Sequence, residues 1–314
     1  VTLAEAEAAL IVTRALVYAA GLFLWGAMAY LAAFVGEPLR GAIAGRLAGI
    51  TRLSALLLWL MLLASLPLRA SLLAEGGEAA LSLPLLSALL WETAIGFAWQ
   101  VQMLAATLLA AGALMCPRRP ALIAPLAALF LITLPLGGHA AMLGLTLIGL
   151  AHRANDALHI LSAGAWAGAL LPVLLILPRL REGESRAAAQ AALLNFSTMG
   201  HIAVALVLIT GLINAWLILG AGSGNGMGAE AGPDGLIDLV AGLWTSPYGR
   251  LLALKATLVA LMVTLALVNR YALVPRLAAS PPAGRALMLG TLAEIGLSAL
   301  VLALVAAFGT MDPS

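Results

Sequence analysis

Residues 155–177 read NDALHILSAGAWAGALLPVLLIL. Beyond the opening Asn155-Asp156 pair, His159 is the only ionisable side chain in the stretch. A bilayer core about 30 Å thick is crossed by roughly 20 mostly apolar residues in a helix. Hydrocarbon offers no water to backbone N–H and C=O groups, and a helix satisfies them internally. The stretch therefore reads as a transmembrane helix. Working outward, similar runs near residues 9–35, 47–68, 84–114, 120–136, 187–219, 249–273 and 285–308 bring the expected number of spans to eight. Over its 314 residues the chain is 63% hydrophobic and 10% charged, against roughly 25% charged in a soluble domain. The fold class expected is all-α, a polytopic membrane bundle of eight transmembrane helices. No leader pattern stands apart from the first run, which is read as a span. A further apolar piece, Ala140 to Leu150, follows Gly137-Gly138 and is too short to cross, so it reads as a re-entrant or interfacial helix.

The charges sort by connection. Arg40, Arg46, Arg52, Arg118, Arg119, Arg179, Arg181, Arg186, Arg270, Arg276 and Arg285 fall on one side. Arg14, Arg69, Arg153, Arg250 and Lys255 fall on the other, together with most of the acids. An excess of arginine marks cytoplasmic connections, which places both termini outside. A net charge of +2 with no dense basic patch argues against nucleic acid as a partner. The single Cys116 excludes a disulfide within the chain.

A parallel 4+4 repeat is suggested. Ala15-Leu16-Val17-Tyr18 through Trp25-Gly26 resembles Ala157-Leu158-His159-Ile160 through Ala167-Gly168. Trp91 to Gly96 likewise resembles Trp244 to Gly249. The repeat would divide the chain into an N-terminal four-helix half, 1–136, and a C-terminal four-helix half, 137–314. Low-complexity Ala/Leu sequence also produces such matches by chance. If the repeat holds, Val17 stands in the first half where His159 stands in the second.

Ionisable and strongly polar groups within spans are costly, and each needs a partner or a task. His152, Asp156 and His159 follow i, i+4, i+7 spacing, one face of a helix. Two imidazoles and a carboxylate there suit a transition metal, with Asp able to orient a ring. The alternative for His152 is a polar helix start at the membrane surface. His139 and Met142 offer an imidazole and a thioether, a pair suited to Cu(I), although Met142 also reads as a packing filler. His201 lies about fourteen residues into its span, ~21 Å deep at helical rise, and reads equally as a ligand or as a hydrogen-bonded core histidine. Glu294 and Glu92 read as protonated carboxyls, either proton carriers or helix clamps. The chain contains no G-x-x-x-x-G-K-[ST], C-x-x-C or G-x-S-x-G pattern, and no large extramembrane domain is expected, so an enzyme is not.

With these residues in view, the chain resembles the copper resistance protein D (CopD) family of bacterial inner-membrane proteins. The resemblance runs over about residues 137–308. It rests on Gly138-His139-Ala140, on Asp156-Ala157-Leu158-His159 with Ala165-Trp166-Ala167-Gly168, and on Asn195-Phe196-Ser197. It continues with Thr210-Gly211-Leu212-Ile213-Asn214, Ser246-Pro247-Tyr248-Gly249, Leu252, Lys255, Asn269-Arg270 and Pro275-Arg276. The first half matches in span pattern alone. The resemblance implies eight spans, a periplasmic outer face with both termini periplasmic, and copper transfer across the inner membrane toward the cytoplasm. It also implies a separate CopC-type periplasmic copper carrier as partner, beside the lipid bilayer. His139 and His159 coincide with family motif positions, whereas His201 does not.

The expected function is copper transport and homeostasis. The metal, as Cu(I) or Cu(II), would enter at His139, His159 and Met142, with His152 nearby, and pass inward by His201 and Glu294. A second reading is a haem-b electron carrier using His159 and His201 on adjacent spans. A third is an assembly factor that holds copper at the outer surface.

Overall fold

The computed structural model describes residues 2–74, 82–137, 146–222, 247–276 and 281–308. Every extended element among them is helical. Seven helices or helical stretches are long and apolar enough to cross a membrane. The chain runs α1 (Leu3–Phe34), α2 (Leu39–Leu73), α3 (Leu83–Glu92), α4 (Ala94–Met115) and α5 (Pro120–Thr133). It continues with α6 (Leu147–Ala167), α7 (Leu170–Ile176), α8 (Arg186–Gly222), α9 (Pro247–Val268) and α10 (Pro281–Phe308). Together α6, α7 and a short 3₁₀ turn form one crossing, Leu147–Arg181.

Three sequence expectations change. The span expected over 84–114 breaks at Thr93, whose backbone is extended (φ −123°, ψ 152°). Its hydroxyl donates to Leu89 O at 2.6 Å and accepts from Gly96 N at 3.0 Å, ending one helix and capping the next. Gly96 fits the corner because a Cβ there would lie 2.2 Å from Leu89 O. Glu92 is consequently exposed at the break, at the end of α3 and just outside the candidate span Ala94–Met115.

The fourth expected span is the second change. Pro120–Leu136, α5 with its 3₁₀ extension, is a shorter apolar helix than the seven. Its 17 residues reach about 25 Å at helical rise, under the core thickness. Length and composition thus give seven spans and leave the eight-span, 4+4 arrangement to other arguments.

Third, Leu147–Leu150, the described end of the expected re-entrant piece, is the first turn of α6. Thr146 caps it, accepting from Gly149 N at 3.0 Å. Residues 138–145 lie outside the described residues.

The bundle is organised around α1, which packs against α2, α5, α6 and α10. Its crossing with α6 is very close. A Cβ on Gly26 would lie 1.9 Å from Gly164 O, and one on Gly168 would lie 2.2 Å from Leu22 O. Membrane helices associate through such small residues because lipid removes the hydrophobic drive. Trp25 Nε1 donates to Leu161 O at 2.8 Å nearby. Farther along, Tyr30, Leu31 and Val35 share a core with Ala169, Val173 and Ile176. The contacts advance together on both helices, so α1 and α6–α7 run parallel.

Candidate functional site

Because α6 begins at Leu147, the polar residues expected at a span's edge stand on an established helix. His152 lies inside it, 3% exposed, and its Nδ1 has no hydrogen-bond partner. The reading of His152 as a surface residue preceding the helix is therefore corrected. Asn155, Asp156 and His159 follow on the side of α6 that meets α8.

The two helices are joined there by a polar network. Asn155 Nδ2 donates to Thr210 O at 2.9 Å and to Asn214 Oδ1 at 2.7 Å. Asn214 Nδ2 donates in turn to Asp156 Oδ1 at 3.0 Å. His159 Nδ1 lies 2.9 Å from Thr210 Oγ1. Gly211 makes room for the ring, since a Cβ there would meet His159 Cε1 at 3.2 Å. From α9, Lys255 interacts electrostatically with both Asp156 and His159. A carboxylate facing a lysine is the affordable way to keep two charges in a bundle.

The hydrogen-bond directions assign a tautomer. Thr210 Oγ1 donates its proton to Leu206 O, so toward the ring it accepts. His159 then carries its proton on Nδ1 and keeps the lone pair on Nε2. Metal-ligating histidines are held in this manner, with the second nitrogen donating to an oxygen partner.

The groups form a ladder rather than a cage. His152 and His159 stand seven residues apart, about 10.5 Å along the axis. One ion cannot engage both. Among the described residues no three His, Cys, Asp or Glu side chains converge as a metal site.

A second polar cluster lies between α8, α9 and α10, toward the ends that carry Arg186, Arg270 and Arg285. Asn269, buried in a π-helical turn, donates from Nδ2 to Glu294 Oε1 at 2.6 Å. Asn269 Oδ1 is buried without a partner. Gly290 admits this side chain, because a Cβ there would lie 2.3 Å from Asn269 Oδ1. Glu294 is 3% exposed. Both residues line a cavity of about 1500 Å³. Trp166, 4% exposed, forms part of its wall.

His201 also lines this cavity, but both of its nitrogens are engaged. Nδ1 donates to Ser197 O at 2.6 Å, and Nε2 accepts from the Tyr271 hydroxyl at 3.0 Å. The ring is hydrogen-bonded as in the non-ligand reading, but it is exposed and is not a core histidine. Thr210, the partner of His159, is nine residues from His201 on α8, roughly 13 Å along the helix. The two imidazoles do not face one another as axial ligands of one haem would.

His139 and Met142 lie outside the described residues. Asn155 was not singled out by sequence reading, although at three residues beyond His152 and four before His159 its register was the available signal. Thr210, Gly211, Asn214, Lys255 and Asn269 appeared only as parts of motifs. The structure makes the first three the surface that receives His159 and Asp156.

Comparison with known proteins covers both halves. A model described as the copper resistance protein D-like N-terminal domain matches residues 5–148, and the copper resistance protein D model matches residues 190–308. Likeness in the first half therefore goes beyond its span pattern. The inner membrane protein YebZ of Escherichia coli (strain K12) is 37% identical over 225 residues, 71% of this chain and 70% of that protein. Copper resistance protein D of Pseudomonas syringae pv. tomato is 30% identical over 274 residues, 83% of this chain and 82% of that protein. No solved structure matches.

Proposed function

We propose, because the chain belongs to the copper resistance protein D family, that it is a multi-pass protein of the bacterial inner membrane that takes copper from the periplasmic side and passes it toward the cytoplasm. The observation carrying this reading is the bond between His159 and Thr210, which presents a metal-accepting Nε2 within the membrane bundle. His152 stands two turns nearer the start of α6 with an unpartnered ring nitrogen. Ligands spaced along one face favour handing an ion on over storing it. His139 and Met142, close before α6 in sequence, would supply the entry ligands, and a CopC-type carrier would deliver copper to them. Imidazole suits copper, and thioether suits Cu(I) in particular. On the inner side, Glu294 with Asn269 provides oxygen acceptors for a cation or a coupled proton.

The parallel run of α1 and α6–α7 supports eight crossings. Two parallel helices must be separated by an odd number of crossings, and α2, α3–α4 and α5 supply three. Gln102 Nε2 donates to Thr133 O at 3.3 Å, so α5 climbs beside α4 to within about two turns of its start. With Pro120–Leu136 as a short crossing, both termini are periplasmic and the arginine-rich turns are cytoplasmic.

Copper content and the optical spectrum of purified protein test the assignment. The account expects near-stoichiometric copper on the native chain and much less on His159→Ala. A Soret band at one haem per chain, without copper, would replace the reading with haem-b electron transfer.

A further inference from the structure

We infer that the cleft between α8 and the α9–α10 pair holds an anionic phospholipid of the cytoplasmic leaflet, its phosphate bound by Arg181, Arg186, Arg270 and Arg285. The helices leave the space themselves. Helix α8 packs on α6, and α10 packs on α9 and α1, whereas α8 meets α9 and α10 through a small apolar cluster that includes Ala203 and Met262. The bond from His201 to Tyr271 is a hydrogen bond across the gap. The remaining volume, about 1500 Å³, has apolar walls that include Leu193, Val204, Val263 and Leu289.

The four arginines line the same cavity. Arg181 closes the turn after α7, Arg186 opens α8, Arg270 lies in the turn after α9, and Arg285 lies in the first turns of α10. All four therefore gather at one end, the cytoplasmic end by the distribution of charge. Among the described residues none of them pairs with a carboxylate, whereas Arg40 and Arg179 do. Four uncompensated cations around an apolar cleft fit one occupant in both respects. A phosphodiester answers the charges, and acyl chains fill the walls. Water would leave the walls unsatisfied, and free phosphate would leave them empty. Basic pockets between helices on the cytoplasmic side recognise lipid headgroups on these grounds. The inference does not depend on copper. Its consequence for copper is electrostatic, since the lipid phosphate offsets charges that would oppose a cation near Glu294.

The test uses the full chain reconstituted in vesicles of equal parts phosphatidylethanolamine and phosphatidylglycerol, then released and weighed by native mass spectrometry. Phosphatidylglycerol should be enriched among the retained lipids. Arg181→Gln/Arg186→Gln and Arg270→Gln/Arg285→Gln should each lower that enrichment by roughly tenfold or more. Arg52→Gln/Arg118→Gln, at a different cytoplasmic turn, should leave it unchanged. Equal retention of both lipids by the native chain would overturn the inference, as would unchanged enrichment in both cleft variants. Displacement of the lipid by inorganic phosphate would assign the arginines to a free anion instead. A measurement on the native chain covers variants that fail to fold. Chain-labelled phosphatidylglycerol should show a larger motionally restricted fraction by spin resonance than labelled phosphatidylethanolamine, and equal fractions would refute the lipid.

Discussion

The imidazole of His159 on α6 and the hydroxyl of Thr210 on α8 are 2.9 Å apart, and the hydroxyl's own proton is committed to Leu206 O. One side chain thereby sets both the tautomer and the aim of the ring. Thr210→Val keeps the shape and removes the acceptor. Copper affinity, read by competition with a chromophoric chelator, should fall about 10- to 100-fold, as for loss of an outer-shell partner. Thr210→Ser should retain it. Equal affinities for valine and serine would show that the ring needs no such partner.

Lys255 and Asp156 make a second prediction. Removing one member of a fully buried pair costs about 3–5 kcal/mol, and the cost is smaller here, where both side chains are half-buried. Lys255→Met should lower the unfolding midpoint more than the double variant Asp156→Asn/Lys255→Met does. A double variant with additive losses would mean that the two charges are independent.

The contact of α1 with α6 leaves no space for a side chain at Gly26 or Gly168. Gly26→Ala and Gly168→Ala should each destabilise the protein by about 1–3 kcal/mol through overpacking, measured by denaturant titration in detergent. Gly45→Ala, where a Cβ meets nothing within 4 Å, is the control and should not destabilise. Identical behaviour of all three would remove the close crossing.

Glu294 and Asn269 lie apart from the α6 ladder, so the two clusters can be tested separately. Glu294→Gln keeps a hydrogen-bonding side chain beside Asn269 and abolishes the exchangeable acid. Copper binding at the outer ladder should stay within twofold of native (an order-of-magnitude bound), while any dependence of uptake on an imposed pH gradient should vanish. Persistence of that dependence would exclude Glu294 as the proton carrier.

Much of this was legible from composition and periodicity. Hydrophobic runs located most of the crossings because hydrocarbon enforces helices. They missed the break at Thr93 because a hydroxyl cap and a glycine corner make a stop that hydropathy does not register. They misplaced the start of α6 because Asn155 and Asp156 looked like a helix edge, when the cap is Thr146, nine residues earlier. The i, i+4, i+7 face was readable, but its reach of about 10.5 Å meant that shared spacing did not imply a shared ion. His201 showed the reverse difficulty. Its partners Ser197 O and Tyr271 are an i−4 carbonyl and a residue from another helix, and only the folded bundle brings the second to the ring.

Radioactive copper uptake into sealed proteoliposomes, comparing the native chain with His159→Ala, tests the central claim most directly. The account predicts accumulation by the native chain well above empty liposomes and near-background uptake by the variant. Native uptake no greater than that of empty liposomes, or equal uptake by both proteins, would contradict it.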